Sequence, residues 1–84
     1  MHYTFRTRNV CSAKIDFDIE NGILHNVVYT GGCNGNLKAL SKLVEGKPVD
    51  EIKDLLAGNT CGFKDTSCAD QLSQALAAAQ DGRL

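Results

Sequence analysis

The sequence predicts an α+β fold, a three-stranded antiparallel meander with three helices on one face. Three observations predict it. Asn21-Gly22 stands between two strand-like runs, a strong hairpin signal because both residues accept the positive φ of a tight turn. Past Thr30 the apolar spacing changes from every second residue to the three-and-four rhythm of a helix. That rhythm then occurs three times, punctuated by Gly46, by Gly58-Asn59 and by Asp81-Gly82.

Residues 2–8 alternate His2, Thr4, Arg6 and Arg8 with Tyr3, Phe5 and Thr7, as a strand with one wet face does. Asn9-Val10 links it to the hairpin. There Ile15, Phe17 and Ile19 alternate with Lys14, Asp16, Asp18 and Glu20, and Ile23 to Thr30 is rich in β-branched and aromatic residues. A strict two-residue turn sets Phe17 opposite Asn26, whereas a three-residue loop sets it opposite Val27, so the register stays open. Gly31 to Asn36 forms a backbone-permissive corner. Leu37, Leu40, Leu43 and Val44 then mark a first helix, capped by Asn34 or Asn36 and ended by Gly46. Pro48 suits the first turn of a second helix, whose buried stripe is Val49, Ile52, Leu55 and Leu56. Residues 59–66 form a loop. Thr66 or Ser67 caps a third helix, Asp70 follows Ser67 at capping-box spacing, and Leu72, Ala75, Leu76 and Ala79 line one face.

The chain of 84 residues reads as one small domain, 1–84, with 43% apolar and 23% charged residues. A core of this size is marginal unless something staples it. The net charge of −1, with both signs interspersed, gives no basic footprint for nucleic acid. No apolar run approaches the ~20 residues of a membrane span, and the first residues lack a secretory signal, so the expected compartment is the cytoplasm. Thiols stay reduced there, which turns attention from disulfides to a metal site or a redox pair.

The hairpin folds Cys11, ten positions before Asn21, towards Cys33, eleven after Gly22, at its open end. A first helix running away from that end and a second running back, as helix hairpins do, return Cys61 and Cys68 to it. All four sulfurs then converge. Cys33 and Cys68 also stand at helix starts, where unpaired N–H groups favour thiolate. A thiolate cluster selects zinc, or in second place an iron–sulfur cluster, over hard cations. The spacing Cys-x21-Cys-x27-Cys-x6-Cys lacks the close pairs of zinc fingers. Alternatives stay open: some cysteines are simply buried apolar residues, Cys61 above all, or Cys61 and Cys68 form a disulfide or an uncoordinated dithiol.

Other groups carry less. The 31–36 corner lacks the Gly-Lys-Ser/Thr of a P-loop. His25 lies near the turn and His2 at the far end of its strand, both away from the cysteines. Asp65 and Asp70 flank Cys68 as caps rather than ligands, and Lys64 is a surface lysine. No set of residues supports hydrolase chemistry.

Thr66-Ser67-Cys68-Ala69-Asp70 resembles the signature of the TSCPD domain family, with Ala69 where that motif has proline. The whole chain, with four cysteines and Gly-Gly-Cys-Asn-Gly-Asn-Leu at 31–37, is similar to the family's small stand-alone members. The family also occurs as a C-terminal module of some cobalamin-dependent ribonucleotide reductases, which implies a reductase as partner. A looser resemblance is to the U-type iron–sulfur cluster scaffold, whose three ligand cysteines match Cys11, Cys33 and Cys68. That likeness implies a related fold, a cluster or metal, and an iron–sulfur assembly protein as partner. Ala13 replaces the scaffold's acidic residue and Ser67 its histidine, and Cys61 fills the place of the lost ligand. Together these readings favour a metal-binding module using Cys11, Cys33, Cys61 and Cys68, with no complete enzyme in so short a chain. The alternatives are a redox-active or nucleotide-associated accessory to ribonucleotide reduction, and an interaction domain with inert thiols.

Overall fold

The computed structural model describes residues 1–32, 34–59 and 66–84, and the side chain of Asn34 is not among what it describes. Three strands, β1 (His2–Arg6), β2 (Ser12–Glu20) and β3 (Ile23–Gly31), precede three helices, α1 (Asn34–Val44), α2 (Val49–Leu56) and α3 (Cys68–Gln80). The strands form one antiparallel sheet in the order β1-β2-β3. No helix among the described residues is long and apolar enough to cross a membrane.

The register question has a two-part answer. The turn is the strict two-residue one, with Glu20 opposite Ile23 and Asp18 opposite His25. The poor match at Phe17 is then avoided by a bulge: between Asp18–His25 and Asp16–Val28, both Asn26 and Val27 fall to Phe17. Asn26 takes φ 56°, a left-handed conformation that asparagine tolerates, so Val27 turns inward and becomes buried. A second irregularity, between Lys14–Thr30 and Ser12–Gly31, leaves Ala13 as the extra residue on β2. It reverses the alternation, so Ser12 is buried and Cys11 is exposed.

Ile15, Phe17, Leu24 and Val27 form the apolar face of the sheet, with Tyr3 stacked on Phe17 at 5.5 Å between ring centroids. The helices cover that face with Val44, Val49, Ile52, Leu72, Ala75 and Leu76. Each large side chain so buried contributes about 1.5–3 kcal/mol of transfer free energy. Two expected stripe residues are not part of this core: Leu43 is 71% and Leu55 70% exposed. The reason is the same in both helices. The inward positions are 37, 40, 41 and 44 in α1 and 49, 52, 53 and 56 in α2, and a residue six beyond the first of each set points well to the side of the stripe.

The second helix runs back as expected, but not by packing chiefly on the first. α2 packs chiefly on α3, and α1 on β3. The segment between α1 and α2 is tied to the hairpin instead. The Gly46 N–H donates to the Leu24 carbonyl at 2.8 Å, the Leu24 N–H to Lys47 at 2.9 Å, and the Val49 N–H to Gly22 at 2.9 Å. Pro48 is the N-cap of α2, one residue before the first turn expected for it. α2 therefore starts at the turn end of the sheet and runs back towards the open end, antiparallel to α3. Gln80 meets Lys53 and Asp50 near one end of this helix pair, and Gly58 meets Asp70 at the other.

Candidate functional site

The open end of the sheet is where the expected cysteines were to meet. Cys68 is the first residue of α3, and its Sγ lies 3.3 Å from Ser12 Oγ. Ser12 is the neighbour of Cys11, and the Ala13 bulge is what turns its hydroxyl inward. Cys11 and Cys68 are free thiols among the described residues, one exposed and the other partly buried. The corner after β3 closes on the same spot. A Cβ on Gly32 (φ 84°) would stand 2.9 Å from Leu37 Cδ1 and 3.2 Å from the Ser12 nitrogen, so only glycine fits there without displacement. Cys33 and Cys61 lie outside the described residues, as do Lys64 and Asp65. α1 begins at Asn34 itself, which places Asn36 inside the helix rather than at its cap. Among the described residues no three His, Cys, Asp or Glu side chains are grouped to hold a metal ion.

The start of α3 is held by side chains. Ser67 is the N-cap, its Oγ accepting the Asp70 N–H at 3.1 Å while its own hydroxyl donates to the Asn59 carbonyl. Asp70 does not complete a capping box. Its carboxylate accepts from the Gly58 N–H at 2.7 Å, the Thr66 hydroxyl at 2.5 Å and the Gln74 amide at 2.8 Å. Burial pushes the Asp70 carboxyl up, but the Thr66 hydroxyl, the Gly58 N–H and the Gln74 amide outweigh it, leaving the group below its ordinary pKa. Gln71, 3% exposed, accepts from the Arg8 N–H at 3.0 Å and donates to Thr66 Oγ1 at 3.0 Å. One network thus joins the β1–β2 connection, α3 and the end of α2.

Tyr29 completes the arrangement from β3, donating its hydroxyl to the Cys68 carbonyl at 2.9 Å. Burial first, and then the charge of Cys68 as thiolate, hold Tyr29 above its ordinary pKa, so it stays a donor. Ser12, Tyr29, Gln71 and Arg8 were not singled out in the sequence. One signal was available: Gln71 is a polar residue beside Leu72 on a helix otherwise rich in small apolar residues. The histidines lie elsewhere. His2 sits between Asp18 (2.9 Å) and Asp16 (3.3 Å) on the outer sheet face, and His25 meets Glu45 at 2.7 Å.

Each polar residue of the Thr66-Ser67-Cys68-Ala69-Asp70 segment is thereby engaged in fixing the α3 start or in facing Ser12. The TSCPD domain family matches the chain over residues 1–80. Among curated proteins and solved structures, none matches the chain.

Proposed function

The chain belongs to the TSCPD domain family, and from that premise we propose that it is a small metal-binding module holding zinc, or in second place an iron–sulfur cluster, through Cys11, Cys33, Cys61 and Cys68. The observation that carries this reading is the placing of Cys68 Sγ against Ser12, the residue next to Cys11, across 56 positions of sequence. The other two cysteines are close along the chain to residues at this end. Cys33 directly follows Gly32, which abuts Ser12, and Cys61 is two residues past Asn59, which is bonded to Ser67.

The donor set fits a soft metal, since four thiolates suit tetrahedral zinc. Bound metal would supply a cross-link between the hairpin and α3, and with it stability that so small a core lacks. The protein's own part is orientation. Ser12 Oγ is placed to donate to a Cys68 thiolate, while Tyr29 fixes the Cys68 backbone. Four thiolates make a closed, structural site, which separates this reading from cluster transfer by the U-type scaffold that the chain resembles.

Elemental analysis of anaerobically purified protein is the test. The expected result is one zinc per chain, lost in Cys68→Ser, with a Tm that falls on chelation. Substoichiometric metal and a Tm indifferent to chelator would overturn it. The exposure of Cys11 and partial exposure of Cys68 favour a second reading, a redox dithiol in a reductase-associated module. In it two thiols give up two electrons and two protons to a disulfide partner, so reversible oxidation of metal-free protein is its signature. If a quadruple Cys→Ser protein folds and binds its partners unchanged, both readings fail and an interaction domain with inert thiols remains.

A further inference from the structure

β3 is an edge strand, and its two halves are treated differently. Near the turn, Gly46 and Lys47 pair with the outward groups of Leu24, and the Asn26 N–H is taken by Glu45 Oε1 at 2.8 Å. From Val27 to Gly31, no backbone hydrogen bond from outside the strands reaches β3 among the described residues. Beside that open half runs a groove of about 320 Å³, lined on one side by Val27, Val28, Tyr29 and Gly31 and on the other by Leu37, Lys38, Ser41 and Lys42 of α1. Val28 is 55% exposed at its lip. Lys38 and Lys42, one helical turn apart, are both exposed, and neither is in an ion pair among the described residues. Among the described residues, no acidic side chain lines the groove.

The geometry points to an extended, acidic segment of a partner protein that adds to β3 as a fourth strand and sets its carboxylates against Lys38 and Lys42. An unpaired strand edge supplies main-chain bonds to any extended peptide, while the pockets and charges beside it select the sequence. Charge complementarity selects acidic residues and disfavours a second copy of the chain. Two β3 edges paired antiparallel would bring two copies of α1, each with its two lysines, side by side, a like-charge arrangement that resists edge pairing.

The test is an NMR titration of the ¹⁵N-labelled full chain with an acetylated, amidated hexapeptide of alternating valine and glutamate. The expected result is saturable shifts confined to Val27–Gly31 and Leu37–Lys42, with half-saturation below about a millimolar. The double variant Lys38→Glu/Lys42→Glu should keep the circular dichroism spectrum and bind about tenfold more weakly. A peptide N-methylated at every backbone amide should not bind, because neither of its edges keeps an N–H for the ladder. The proposal is overturned if no shifts occur at millimolar peptide, if they fall elsewhere, or if a valine–lysine peptide binds equally well. It is overturned equally if dilution alone moves the same resonances, since the occupant is then a second copy.

Discussion

The two ends of the sheet are closed by different means. At the turn end, main-chain groups do the work: Leu24, Gly46, Lys47, Gly22 and Val49 exchange three backbone hydrogen bonds between the hairpin and the link before α2. At the open end, side chains do it: Gln71 takes the Arg8 N–H, Asp70 takes the Gly58 N–H, Tyr29 reaches the Cys68 carbonyl, and Ser12 meets Cys68. Main-chain closure needs only a suitable backbone and tolerates many sequences. Side-chain closure needs particular residues, and the family's signature segment lies there. The same end holds Cys68 against Ser12, the neighbour of Cys11, so a metal bound as proposed would reinforce the closure that has the fewest main-chain bonds.

The comparison breaks most visibly at Asp70. Asp70→Ala strands the Gly58 N–H and the Thr66 hydroxyl and should cost about 3 kcal/mol in urea unfolding at neutral pH. Its pH dependence follows from the lowered pKa. The carboxylate's contribution is fully present above its unfolded pKa, about 4, and is lost as pH falls through the lower folded value. The gap between wild type and variant should therefore narrow as pH falls into the acid range, and a gap that does not change from neutral pH into acid would refute the assignment. Next comes Gly32→Ala, at about 2 kcal/mol, because a left-handed backbone and contacts with Leu37 and Ser12 leave no place for a methyl group. Tyr29→Phe should cost about 1 kcal/mol, the net worth of one hydrogen bond, read in the same assay. The smallest effect belongs to the turn end. His2→Ala removes contacts with Asp18 and Asp16, yet these are solvent-exposed, so the urea midpoint at pH 7 should not move beyond error. A large shift there would erase the contrast between the ends.

Much of the fold was legible because it rests on local rules. Asn21-Gly22 specified the turn, Gly46 and Gly58 the helix ends, and Ser67 the cap of α3. Reading Asn26 against Phe17 located the difficulty in the register but not its solution, a bulge, since asparagine is at home in loops and bulges alike. The Ala13 bulge had no sequence signal at all, because alanine has no special backbone preference for it. Leu43 and Leu55 misled because an apolar residue at the flank of a stripe has nearly the same spacing as one in it. At the open end, Cys68 and the position of the β2 start were foreseeable from topology. The partners Ser12, Tyr29 and Gln71 were not, since they depend on which way each side chain faces once distant segments dock.

The two irregularities of the hairpin are of opposite sense: β3 carries one surplus residue at Asn26 and β2 one at Ala13, so Ser12 still lands opposite Gly31, where an uninterrupted ladder would put it. They therefore act as a matched pair of frameshifts in space. Each surplus residue stands outside the ladder, so deleting Asn26 or Ala13 should straighten its own bulge and leave Gly31 opposite Ser12. An added residue beside either one has no such slack and should slide the far half of the hairpin, carrying Gly32 off Ser12.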